Sequence, residues 1–222
     1  MSERFAIYFA PAADHALTKL GDSWLNGGAA ANGIDGKALE EATKQARSYG
    51  FHATLKAPMR LADGHFRADL EQALSDFARD EPPVAIGEMQ VAILSGFLAL
   101  IPKEQSMALT DFAATCVTIF DRFRAPMNGH EKAKRQQSKL SERQQVLLEQ
   151  YGYPYVMEEF RFHMTLCDRL QPEMQETMLK AAEKWMAPAL GEPVLLDRIV
   201  LFHQARSGAP FQRLGDYPLT GH

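Results

Sequence analysis

Two five-residue blocks, Phe51-His52-Ala53-Thr54-Leu55 and Phe162-His163-Met164-Thr165-Leu166, constrain this chain more than any other feature. Their histidines lie 163 − 52 = 111 residues apart, half the length of the 222-residue chain. Apolar and polar residues alternate through both blocks, the period of a half-buried strand. Successive side chains of a strand point to opposite faces, so His52, Thr54 and Lys56 share one face, and Phe51, Ala53, Leu55 and Ala57 the other. In the second copy Arg161, His163, Thr165 and Cys167 share a face opposite Phe162, Met164 and Leu166. Each strand thus has an apolar back for a core and a polar front, and the repetition points to two structurally equivalent lobes.

Around these motif strands, near 50–58 and 159–168, strands and helices interleave. Arg4–Pro11, Pro83–Leu94, Phe97–Ile101, Pro193–Gln204 and Phe211–Tyr217 read as strands, with a hairpin at Ser95–Gly96. His15–Leu25, Lys37–Ala46, Ala68–Ala78, Ser106–Phe123 and Glu173–Met186 read as helices, and Asn26–Gly36 as an exposed loop. Glu131–Gln150 is polar and helix-prone. This order predicts an α+β fold with mainly antiparallel sheet, built as one bilobal domain over residues 1–222.

The front faces suggest a chemistry. Residues two apart on a strand are about 6.6 Å apart, so an imidazole and a hydroxyl at that spacing can converge on one phosphate group. Two histidines form a natural acid–base pair, one ring taking a proton while the other gives one. The Thr54 and Thr165 hydroxyls would donate to non-bridging oxygens, with Lys56 and Arg161 adding positive charge or pairing with carboxylates. A metal site is the competing use of paired histidines. H-x-T, however, supplies a hydroxyl where a metal needs a further strong ligand, and no H-E-x-x-H or acidic cluster accompanies it. The expectation is phosphoryl chemistry with no metal and no cofactor.

Composition narrows the partner. With 46% hydrophobic and 23% charged residues the chain is an ordinary globular one. A net charge of −4 argues against coating a long nucleic acid by charge alone, though not against a local basic pocket for a small anion. Cys116 and Cys167 form no C-x-x-C pair, the N-terminus lacks the pattern of a signal peptide, and no apolar run is long enough to span a bilayer. A cytoplasmic protein without membrane association is expected, with a small phosphate ester as its partner. The oligomeric state stays open.

The motifs resemble those of the 2H phosphoesterase superfamily, which is defined by two H-x-[ST] motifs with hydrophobic neighbours. Within it the chain looks like the uncharacterised group encoded alongside phosphonate-degradation genes. The blocks that carry the resemblance are RFAIYFAP (Arg4–Pro11), YGFHATLKAP (Tyr49–Pro58) and GYPYVMEEFRFHMTL (Gly152–Leu166). The resemblance implies a pseudo-two-fold α+β fold with both motif strands lining a central cleft. It also implies His52 and His163 as the acid–base pair, and Thr54 and Thr165 as phosphate-binding hydroxyls. A cyclic phosphodiester is the implied substrate, with a ribose cyclic phosphate suggested by the phosphonate association. An RNA-end or 2′–5′ ligase activity, and a non-catalytic binder of nucleotide or sugar phosphate, are the alternatives.

Other residues carry less. Tyr49 lines the cleft or packs at its rim. Tyr153 and Tyr155 flank a proline, which favours a structural turn over stacking on a substrate ring. The basic run His130–Arg143 fits a solvated helix better than a lid, and His203 fits a structural histidine better than a site residue. Cys167 has no activating neighbour in the sequence.

Overall fold

The computed structural model describes residues 3–29, 34–129, 131 and 139–221. Along the chain run β1 (Arg4–Phe9), α1 (Ala16–Leu25), α2 (Gly36–Ala42), α3 (Lys44–Tyr49), β2 (Ala53–Met59), α4 (Arg67–Asp80), β3 (Val84–Gly87), β4 (Met89–Leu94), β5 (Phe97–Pro102), α5 (Met107–Phe120), α6 (Glu142–Tyr151), β6 (Met164–Arg169), α7 (Pro172–Met186), β7 (Val194–Leu196), β8 (Arg198–Gln204) and β9 (Gln212–Pro218). Seven strands form one sheet in the order β4-β5-β6-β2-β1-β8-β9, and β3 pairs with β7 in a small second sheet. The pairings are antiparallel, as expected for this α+β chain.

The two motif strands, β6 and β2, lie side by side in the middle of the large sheet. Going outward, β5 and β1 flank them, then β4 and β8. That order is two-fold about the β6–β2 seam, so the halves expected from the repeated motif meet in one continuous sheet. The main core packs one sheet face against α1, α4, α5 and α7, and includes Phe5, Ile7, Phe9, Leu55, Leu74, Phe120, Leu166 and Met186. A smaller cluster takes the alternate residues Ala6 and Tyr8 of β1 and Val200 and Phe202 of β8, hence the opposite face, together with Ala10 and Phe211 and with Tyr49 against it.

Several boundaries differ from the sequence reading. The motif strands start at Ala53 and Met164, one residue after each histidine, and Met157–Glu159 forms a 3₁₀ turn where a strand was expected to start. Pro83–Leu94 and Pro193–Gln204 each divide into two strands, because β3 and β7 leave the large sheet to pair with each other. The 37–46 helix becomes α2 and α3, parted at Thr43, whose hydroxyl donates back to the Leu39 carbonyl at 2.9 Å. The hairpin turn forms at Ser95–Gly96, both with positive φ as a tight two-residue turn requires. No helix among the described residues is long and apolar enough to cross a membrane.

Candidate active site

Ala53 pairs with Met164 across the seam, and both side chains are buried in the core. Continuing that antiparallel register one step each way sets His52 opposite Thr165 and Thr54 opposite His163. All four motif side chains therefore leave the sheet on the face away from the main core, each imidazole across from the other motif's hydroxyl.

The two histidines are held alike. His52 Nδ1 lies 2.9 Å from the Gly50 carbonyl, and His163 Nδ1 lies 2.7 Å from the Arg161 carbonyl. A carbonyl only accepts, so Nδ1 carries the proton in both rings and Nε2 is the unprotonated, basic nitrogen. Thr54 Oγ1 sits 3.4 Å from His52 Nε2. Gly50 adopts φ = 77°, a conformation that L side chains resist, and this turn aims its carbonyl at the imidazole. Burial lowers His52 to about 4, with the His163 charge a minor contributor in the same direction; burial also holds His163 below its ordinary value. Both rings are thus neutral at pH 7 in the free protein.

A cavity of about 500 Å³ opens beside these residues, walled by His52, Thr54, Thr165, Tyr8, Tyr49 and Tyr153 and by the guanidinium-bearing Arg4, Arg60 and Arg124. His163 is outside the wall, its ring edge-on to Phe97 at 5.5 Å between centroids. Arg60 pairs with Glu131 at 3.3 Å and Arg124 with Asp121 at 2.7 Å, while Arg4 donates to the neutral Gln204 amide at 2.6 and 2.8 Å. Tyr49 lines the cavity and stacks on Phe211, and Tyr153 lines it too, packed edge-on to Tyr155.

Two cations singled out from the sequence are placed elsewhere. Between Thr54 and Lys56 the register with β1 slips, Tyr8 facing Thr54 and Ile7 facing Lys56, so one step of β1 spans two of β2. This bulge turns Lys56 off the cleft face. Its ammonium is buried, 2.5 Å from Asp121 and 3.0 Å from the Val117 carbonyl. Burial lowers the Lys56 pKa against the pull of Asp121, while Arg124 and Lys56 keep Asp121 low although burial opposes them. The Arg161 side chain is exposed and is not part of the cavity wall; only its carbonyl, holding His163, serves the site.

The second motif strand bulges at the equivalent place. Phe97 faces Arg169 and Ala99 faces Thr165, so two steps of β5 span four of β6. Cys167 consequently points into the core with no exposed surface, and burial raises its thiol to about 12, which leaves no thiolate for nucleophilic attack. The bulge brings Asp168 to the cavity wall, three residues after Thr165, as Ala57 stands three after Thr54.

Tyr8 and Asp168 are site residues that the sequence reading passed over. Tyr8 is buried with its ring stacked on His52 at 3.7 Å, and burial raises its phenol well above the ordinary value. The alternation of RFAIYFAP could have placed it on a strand, but not beside which residue. His203, by contrast, pairs with Glu3 at 2.8 Å and stacks on Phe5, the structural use expected of it. Residues 130 and 132–138, most of the basic run expected to be a solvated helix rather than a lid, lie outside the described residues; of the remainder, Arg143 pairs with Glu158.

Two curated proteins are similar to this chain over nearly its whole length. It is 37% identical over 231 residues to the ribose 1,5-bisphosphate phosphokinase PhnN of Janthinobacterium sp. (strain Marseille), covering 98% of this chain and 51% of that protein. It is 31% identical over 215 residues to the protein of that name from Laribacter hongkongensis (strain HLHK9), covering 94% and 50%. The chain thus spans about half the length of the curated relatives it matches. Among solved structures, E. coli LigT complexed with 3′-AMP aligns over 99% of both chains at a TM-score of 0.47 and 16% identity. TT0787 of Thermus thermophilus aligns over 99% of both at 0.49 and 15%. Residues 54–212, which carry Thr54, His163, Thr165 and both bulges, match the family described as "Protein of unknown function (DUF1045)", and the chain belongs to that family.

Proposed function

We propose that this chain is a metal-independent phosphodiesterase that hydrolyses a small cyclic phosphodiester by two-histidine acid–base catalysis. The observation that carries the reading is the matched pair of imidazoles, each with Nδ1–H committed to its own backbone and Nε2 left as the unprotonated, basic nitrogen. One Nε2 takes a proton from water as its oxygen attacks phosphorus. The ring P–O bond breaks, and the other histidine, entering as imidazolium, gives its proton to the leaving oxygen. The product is a phosphomonoester with a free hydroxyl beside it. The phosphate's own negative charge supplies what the free protein lacks, raising the pKa of the acid toward neutrality when substrate enters. Thr54 and Thr165 donate to the non-bridging oxygens.

Arg4, Arg60 and Arg124 around the cavity favour an anionic ligand, and about 500 Å³ suits a sugar or nucleoside phosphate better than a polynucleotide. The curated relatives named for a ribose bisphosphate support a ribose cyclic phosphate. The test is hydrolysis of nucleoside 2′,3′-cyclic phosphates and ribose 1,2-cyclic phosphate in the presence of EDTA. Turnover is expected to survive the chelator and to fall about 10²–10⁴-fold in His52→Ala and in His163→Ala, with KM little changed. Absence of turnover on every member, with phosphate-ester binding intact, would replace the enzyme with a binding protein.

A further inference from the structure

We propose that Asp168 is a positioning residue that lets the strand of the second motif set the orientation of His52 in the first. Asp168 stands three residues beyond Thr165, brought to the cavity wall by the β6 bulge. Its Oδ2 accepts from Gln45 N–H at 2.7 Å and its Oδ1 from Ala46 N–H at 3.0 Å. These are orphan donors of the first turn of α3, whose own N-cap, Thr43, makes no capping bond because its hydroxyl is turned back to Leu39. The α3 helix then runs only to Tyr49, and the next residue, Gly50, supplies the carbonyl that fixes the His52 ring. A short path therefore links the two motifs: Thr165 to Asp168, Asp168 to the start of α3, and the end of α3 to Gly50 and His52.

Electrostatics argue for this role over direct contact with substrate. A bare carboxylate in the wall of a phosphate cavity would repel the ligand. With each oxygen engaged by a backbone N–H, Asp168 is spent on the helix. Six residues of helix cannot hold themselves in water, so α3 depends on outside contacts of this kind.

The kinetic arm of the test rests on the proposed phosphodiesterase activity; the spectroscopic arm does not. Imidazole titrations followed by NMR in the wild type, Asp168→Ala and Asp168→Asn read both rings. In Asp168→Ala, His52 is expected to rise from about 4 toward 6.5 as its ring loosens into solvent, with His163 unmoved. Asp168→Asn, which keeps one acceptor, is expected to fall between. On a hydrolysed substrate, kcat of Asp168→Ala is expected to drop about tenfold or more at nearly constant KM. An unchanged His52 titration in a folded Asp168→Ala protein would overturn the proposal. So would a fall in KM with kcat intact in Asp168→Asn, which would make Asp168 an electrostatic gate. A wild type without turnover would sink the activity alone, leaving the titration arm to decide.

Discussion

At the residue scale, the site is defined by two neutral imidazoles, and neutrality has a consequence for stability. Unfolded His52 takes up a proton near its ordinary 6.5, whereas the folded ring resists protonation until about 4. Between these values the unfolded chain binds more protons, so stability is full above about pH 6.5 and is lost as pH falls toward 4. His163, depressed in the same direction, adds to the slope. Urea unfolding of His52→Gln from pH 7 to 4 is therefore expected to show a shallower loss than the wild type, by about 3 kcal/mol; parallel curves would mean that the ring titrates alike in the folded and unfolded chain. The four motif residues were legible because a period-two pattern states which side chains share a face. Lys56 and Cys167 were misplaced by the same rule, since it holds only while the register does, and both strands bulge directly after the motif threonine. Lys56 turned inward becomes a structural ion. Lys56→Met is expected to cost about 1–3 kcal/mol, less than an unpaired buried charge costs, because Arg124 still holds Asp121. An unchanged melting midpoint would count against that placement.

Elements fix the site through their backs as much as through their fronts. Phe51, beside His52, lies so close to α1 that a Cβ on Gly21 would stand 2.4 Å from its ring. Gly21→Ala should therefore fail to gain the helix-propensity benefit of alanine, about 1 kcal/mol, and instead lose about 1–3 kcal/mol to overpacking. Because the displaced ring adjoins His52, kcat should fall with it; a stabilised and fully active variant would show that Phe51 has room to yield. In the other copy the bulge of β6 frees the Leu166 carbonyl, and the Trp24 indole of α1 donates to it at 2.9 Å. Trp24→Phe leaves that buried acceptor alone and is expected to destabilise by about 1–3 kcal/mol, read as a shift in denaturation midpoint. Helix positions were legible from apolar periodicity, as the match of α4, α5 and α7 to their expected spans shows. Which helix supports which strand was not, because that information lies in contacts between residues far apart in the chain, as Trp24 and Leu166 are.

For the whole molecule, the internal echo suggests two structurally equivalent lobes, and the packing interlocks them. Strand β6 belongs to the second half of the chain, yet its supporting helices α1, α2 and α3 come from the first. Strand β2 belongs to the first half, yet α5, from the second, packs on it, and Lys56 donates to the Val117 carbonyl of that helix. Gln105, at the midpoint, reaches Phe160 and Phe162 at 3.0 and 2.7 Å, just ahead of the second motif. Each half of the sheet is thus covered by helices from the other half of the sequence, and a separated half would expose an apolar strand face at roughly 25 cal/mol for every Å² uncovered. The physical unit is the whole chain, with a pseudo-two-fold axis through the seam where the two motifs meet. Fragments 1–104 and 105–222, expressed separately, are expected to show little far-ultraviolet ellipticity of native type and no cooperative melt. Mixed, they should regain both, together with whatever activity the intact chain displays. A fragment that melts cooperatively alone would mean that the halves are true domains, and that the crossed helices are a late addition to two units already able to stand.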